Sequence, residues 1–164
     1  MAQPRDPFLN PFTDRDRRAI WEMLVPRDID AFVAADWDAV AGDFIDANFT
    51  GLSGHFQPDP QGVTLAFPDL ATYRTEWLRQ AEEFGRQAFA GDPRADIFAA
   101  TRLEEIEITA DAALVRKKFD GHLRRADGGV DRMNWQTLYW CRKDGGRWKI
   151  AGFVGYLPHV TDAG

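Results

Sequence analysis

Cysteine is nearly absent from this chain. Cys141 is the single one in 164 residues, so no intramolecular disulfide forms, and small secreted scaffolds that depend on such bridges are excluded. Cys141 falls in an apolar run and reads as a small buried hydrophobe, not a nucleophile. Long apolar runs are missing too, and with them any helical membrane span. The opening residues, MAQPRDPFLNPF, lack the basic-then-apolar order of a secretory signal, which makes the cytoplasm the expected compartment. A positive balance is also lacking: the net charge of −6 argues against a nucleic-acid partner. Histidine is sparse. His55, His122 and His159 are scattered without metal-ligand spacing, so neither a metal nor a cofactor is expected. Phosphate-cradling glycine loops, a GxSxG elbow and a CxxC pair are absent, as are repeats and low-complexity tracts.

What is present belongs to a globular chain. Apolar residues make up 45% and aromatics 13%, enough for a packed core, and the length fits one domain. The expected division is an irregular arm over residues 1–12, one domain over 13–158 and a tail over 159–164. The last third is the most ordered stretch. Leu114–Arg125, Val130–Lys143 and Arg147–Leu157 are three strand-like runs rich in aromatic and β-branched residues. Asp127-Gly128-Gly129 and Asp144-Gly145-Gly146 separate them, and such turns between strands make two adjacent hairpins. The runs span 11 to 14 residues, so the strands must twist and curl. Gly121, Gly152 and Gly155 sit where bends or bulges belong. From Ala112 to Ile150 there are 10 Lys/Arg against 4 Asp/Glu. That cationic excess is a solvated outer strand face or, at one or two positions, an inward selector for an anion.

Upstream, Phe8 and Phe12 are placed to pin the arm. Thr13 is the expected N-cap of a helix running to about Leu24, where Pro26 breaks it. Trp21, Val25, Ile29 and Phe32/Val33 keep helical phase across the break. Asp36 caps a short helix that turns Trp37, Val40, Ala41 and Phe44 inward. Asn48–Leu52 and Val63–Phe67 are short strands around a proline-containing loop that carries His55. Asp69 caps a third helix with an apolar stripe of Leu70, Tyr73, Trp77, Ala81 and Phe84. Gly85–Ala95 reads as a loop, and Thr101–Thr109 as a strand. Helices segregated over a mostly antiparallel sheet make an α+β domain.

The stretches AFVAADWDAVAGDF, FPDLATYRTEWL and KDGGRWKIAGFVGYLP resemble the nuclear-transport-factor-2-like superfamily, which includes SnoaL-like proteins and ketosteroid isomerases. The resemblance covers about residues 14–158. It implies a cystatin-like cone: a strongly curved, mixed, mostly antiparallel sheet over three helices, with a ligand pocket at the open end and homodimers that form through the sheet. The functions it implies range from isomerases, dehydratases and epoxide hydrolases to binding and scaffold modules. The isomerases' general-base aspartate would fall near Gly51 or Leu52, where this chain has no carboxylate. Arg102, Arg116 and Asp120 would imitate the Asp-Arg-Asp set of the epoxide hydrolases only if all three pointed inward.

A pocket at the mouth of such a cone would be lined by the first-hairpin loop, the third helix and the middles of the long strands. His55 is the candidate for proton transfer. Tyr73 and Trp77 would wall the pocket. Val115 and Phe119 mark the core face of their strand, which makes Lys117 the cation expected inside. Alternation leaves two options on the next strand. With Asn134 and Gln136 inward, the pocket offers amide groups to a carbonyl or carboxylate; with Trp135 and Thr137 inward, it is more apolar. Two functions remain. One is a small-molecule-binding cone of the acid–base isomerase or hydratase type, acting on an aromatic or carboxylated substrate. The other is a non-catalytic binding or dimerisation module.

Overall fold

The computed structural model describes residues 3–160; the first two residues of the arm and the last four of the tail lie outside that range. Helix α1 (Arg15–Glu22) starts at Asp14, not Thr13, because the Asp14 carboxylate accepts the Arg17 N–H. A π-helical turn, Met23–Arg27, follows and contains Pro26, and α2 (Asp28–Ala34) continues it. Pro26 has no N–H to donate, and the wider turn accommodates the loss without ending the helix. The Asp28 N–H consequently bonds to Val25 O instead of Leu24 O, its partner in a regular α-helix.

A single turn, α3 (Asp38–Ala41), has its Ala39 N–H capped by Asp36. It buries Trp37 and Val40, and the Trp37 ring stacks on Phe44 at 5.2 Å. Short strands β1 (Thr50–Ser53) and β2 (Thr64–Phe67) flank the proline-containing loop. Helix α4 (Leu70–Gly85) is capped by Asp69 through the Thr72 N–H. The segment expected to be a loop contains a further helix, α5 (Pro93–Ala100), which begins with Asp92 as N-cap and Pro93 in the first turn, a favoured pairing of residues for a helix start. Strands β3 (Thr101–Thr109), β4 (Ala112–Arg124), β5 (Val130–Asp144) and β6 (Arg147–Leu157) complete the chain.

The six strands form one sheet in the order β2-β1-β6-β5-β4-β3. All neighbours are antiparallel except β1 and β6, so the sheet is mixed. Pairing between β5 and β6 shifts at Gln136/Leu138 and at Trp140/Cys141, and such bulges bend and twist the strands. One face of β4 (Ala113, Val115, Lys117, Phe119, Leu123) is buried beneath the helices. Gly121 lets α5 approach this face, since a Cβ there would lie 2.5 Å from the Ala100 methyl. The arm is held as well: Phe8 packs on Phe98 at 4.8 Å, and Arg5 donates to Thr101 O at 2.9 Å. Among the described residues no helix is long and apolar enough to cross a membrane.

Candidate functional site

Between the helices and the inner sheet face lies a cavity of about 430 Å³, within the range of small-molecule sites. Helices α2 and α4 give it Phe32, Tyr73 and Trp77. Strands β4 and β5 give it Phe119, Trp135 and Tyr139, and β6 adds Phe153 and Tyr156. Its mouth is marked by Phe56, 56% exposed, and by Arg79. Tyr156 gets there through the first β5–β6 bulge, where Gly155 and Tyr156 together oppose Thr137. Tyr156 has a φ of 55°, and its hydroxyl bonds with Gln80 at 3.3 Å.

The cavity wall carries an ion pair with one buried member. Lys117 Nζ donates to Asp28 Oδ2 at 2.9 Å and to the Leu24 carbonyl, the acceptor that the π-turn withholds from Asp28 N–H. The ammonium also sits 5.2 Å from the centre of the Phe119 ring. Lys117's side chain is 1% exposed and that of Asp28 is 32% exposed, so the lysine is sealed while the carboxylate remains open. Burial pushes the hydroxyls of Tyr73 and Tyr139 well above the ordinary tyrosine range, with like-sign charge from neighbouring tyrosines and Asp28 adding to the effect. Both are therefore neutral donors at any physiological pH. Burial raises Tyr156 in the same direction.

Tyr73, Trp77, Lys117 and Trp135 come together on the cavity wall. Asn134 and Gln136 do not: they bond to Val160 O at 2.7 Å and Pro158 O at 2.8 Å. The register explains this, because Lys117 pairs with Thr137 and Phe119 with Trp135, and partners across a ladder share a face. His55 is also outside the cavity. It follows β1 in a left-handed conformation (φ 52°) with Nε2 2.7 Å from the Thr64 hydroxyl. There it borders an open groove that shares Phe56, Gln80 and Tyr156 with the cavity. His122 is exposed on the outer face of β4, and His159 follows the last strand. Arg116 and Asp120 also lie on the outer face, paired with Glu105 and Arg132, and Arg102 bonds to Ala99 O, so none of the three lines the cavity.

Asp28, Tyr139 and Tyr156 are cavity residues the sequence reading did not single out. Asp28 carried a signal: it lies on the Trp21–Val25–Phe32 stripe, and an acid on an apolar stripe asks for a buried partner. Tyr139 shares the parity of Trp135 and Thr137. Among the described residues no group of three or more His, Cys, Asp or Glu side chains is arranged to hold a metal ion.

No family model matches the sequence, and no curated protein matches it significantly. Solved structures do resemble it. An NTF2-like protein of unknown function from Methylobacillus flagellatus aligns with a TM-score of 0.55 at 16% identity, covering 92% of this chain and 97% of that one. A nuclear transport factor 2-like superfamily protein from Salmonella enterica gives 0.55 at 15% identity, with 88% and 92% covered. An NTF2-like protein with a cystatin-like fold from Novosphingobium aromaticivorans gives 0.52 at 13% identity, with 91% and 84% covered. With its mixed six-stranded sheet wrapped over helices, this chain has the α+β, cystatin-like fold of the nuclear-transport-factor-2-like proteins.

Proposed function

We propose that the chain binds a small, largely apolar molecule inside the cone and performs acid–base chemistry of the isomerisation or hydration type on it. The observation that carries this reading is the convergence of aromatic walls on one open carboxylate. Asp28 is the proton acceptor, held in place by Lys117. Tyr73 and Tyr139 are the neutral donors that bond to a ligand oxygen as charge develops on it. His55, across the Phe56–Tyr156 partition, has no part in this arrangement. The test is a thermal-shift panel of phenols, aryl ketones, steroids, small carboxylates and acyl thioesters. A ligand at 100 times its dissociation constant stabilises by about 2.7 kcal/mol, and Thr137→Phe, which fills the space beside Lys117, should abolish the shift. Flat melting curves throughout the panel would leave the reading without support.

A second reading, association through the sheet, has its own observation. On the outer face Leu114 pairs with Trp140, and Leu138, Val154, Leu52 and Leu65 form the neighbouring row. Leu65 and Leu114 are 57% and 49% exposed, and a contiguous apolar face of this kind marks an interface. A second copy is the proposed occupant. Sedimentation should give a dimer that Leu138→Lys converts to a monomer; a monomeric wild type would remove the idea. The cytoplasm is the proposed compartment, on the strength of the unpaired Cys141.

A further inference from the structure

We infer that the cavity selects uncharged aromatic or alicyclic molecules bearing a hydroxyl and rejects the matching carboxylates. This deepens the ligand-binding reading and rests on it. The charged residues that line the cavity are Asp28, Arg79 and Lys117. Lys117 is already committed to Asp28 and the Leu24 carbonyl. Arg79, at the mouth, is clamped by two carboxylates: Nε and Nη2 bond to Glu76 at 2.9 and 2.7 Å, and Nη1 bonds to Glu83 at 2.8 Å. Lys117 is 1% exposed and so sealed from a ligand, and the charge of Arg79 is already met by two carboxylates.

The open valence has the opposite sign. Asp28 spends Oδ2 on Lys117, and Oδ1 has no hydrogen-bond partner among the described residues. Among those residues no buried side-chain nitrogen or oxygen lacks a partner, so Oδ1 is reached from open space. An incoming O–H finds a charge-assisted acceptor there. An incoming carboxylate finds a like charge, loses its own hydration, and gains no cation in return. Tyr73 and Tyr139 donate to the oxygen of either ligand and do not discriminate between them.

Matched ligand pairs test this by calorimetry on the intact chain at neutral pH: 2-naphthol against 2-naphthoate, and 4-phenylphenol against biphenyl-4-carboxylate. Each phenol should bind at least about tenfold more tightly than its carboxylate, the factor expected of one hydrogen bond to a charged group. Asp28→Asn should narrow or reverse that ratio, because Lys117 then keeps an uncompensated charge beside the cavity. Lys117→Met should widen it by leaving Asp28 alone. Carboxylates binding wild type as tightly as the phenols would overturn the inference while leaving the ligand-binding reading intact. An unchanged ratio in both variants would overturn it too. Should Asp28→Asn fail to fold, the wild-type pairs decide. If no member of either pair binds, the inference and the binding reading fall together.

Discussion

Arg27 and Asp28 are adjacent in the chain, opposite in charge, and end in opposite circumstances. Arg27 reaches Asp43 with a two-pronged contact at 2.7 and 2.8 Å, and Arg147 from β6 closes on the same carboxylate. Here the anion is sealed, 2% exposed, and the cations extend toward water at 37% and 53%. At the next residue the geometry is inverted: the cation, Lys117, is sealed and the anion faces open space. An arginine pair that saturates a buried carboxylate leaves nothing to react with. It ties the end of the π-turn to the sheet, and the Asp43 carbonyl adds a bond from Ile150 N–H at 2.7 Å. A lysine that holds only one carboxylate oxygen leaves the other available. The same class of interaction serves as a clamp in one place and as a candidate site in the other, and the difference is which partner is buried.

The contrast breaks most visibly at Asp28. Asp28→Ala strands a fully buried ammonium and should cost about 3–5 kcal/mol in urea unfolding. Asp28→Leu with Lys117→Met should recover most of that loss, because a buried pair replaced by apolar side chains of similar volume is often neutral. Recovery should stop about 1 kcal/mol short, since Leu24 O loses its donor. A single mutant as stable as wild type would mean that Lys117 reaches water by some route and that the site is not sealed.

Asp43→Ala should cost less, about 2 kcal/mol, despite removing two ion pairs. Arg27 and Arg147 already touch solvent and rehydrate when released. Ligand affinity in the cavity should not change. If Asp43→Ala weakens ligand binding as much as Asp28→Asn does, the clamp and the site are one unit.

The fold was readable mainly where local chemistry dictates it. Two Asp-Gly-Gly turns and alternating aromatic runs gave β4, β5 and β6, because Gly145 and Gly146 adopt φ of 60° and 79°, which favours glycine at both positions. Helix α5 was missed although Asp92-Pro93 marks its start; its alanines offer little contrast between faces. The site was only partly readable. Val115 and Phe119 fixed the parity of Lys117, but the parity of Trp135 over Asn134 depends on hairpin register, a tertiary property. Tyr156 was unreadable for a related reason: the bulge at Gly155–Tyr156 resets alternation, and nothing local announces where the inward side changes.

A smaller effect separates the two regions by binding alone. Tyr73→Phe removes one hydroxyl from the cavity and leaves its packing with Phe49 and Phe153 intact. Stability should move by no more than about 1 kcal/mol. Affinity for a phenol or aryl ketone should fall about threefold to tenfold, as loss of a neutral hydrogen bond implies. An unchanged dissociation constant would mean the ligand's oxygen sits elsewhere.

A last contrast probes how dry the clamped side is. Cys141 pairs with Ile150, the residue whose N–H the Asp43 carbonyl holds. Burial pushes its thiol from an ordinary 9.0 up to about 12. Below about pH 9 the thiol is neutral whether the chain is folded or unfolded, and its full contribution to stability is present. Above that the unfolded thiol ionises first, so the contribution is lost as pH rises toward 12. Wild type should therefore lose more stability than Cys141→Ala between those limits, and a thiol reagent at pH 8 should label the folded chain only as fast as it opens. Asp43→Ala should speed that labelling by loosening β6, whereas Tyr73→Phe should not. Equal labelling rates in the two variants would show that the carboxylate clamp does not keep water from that part of the sheet.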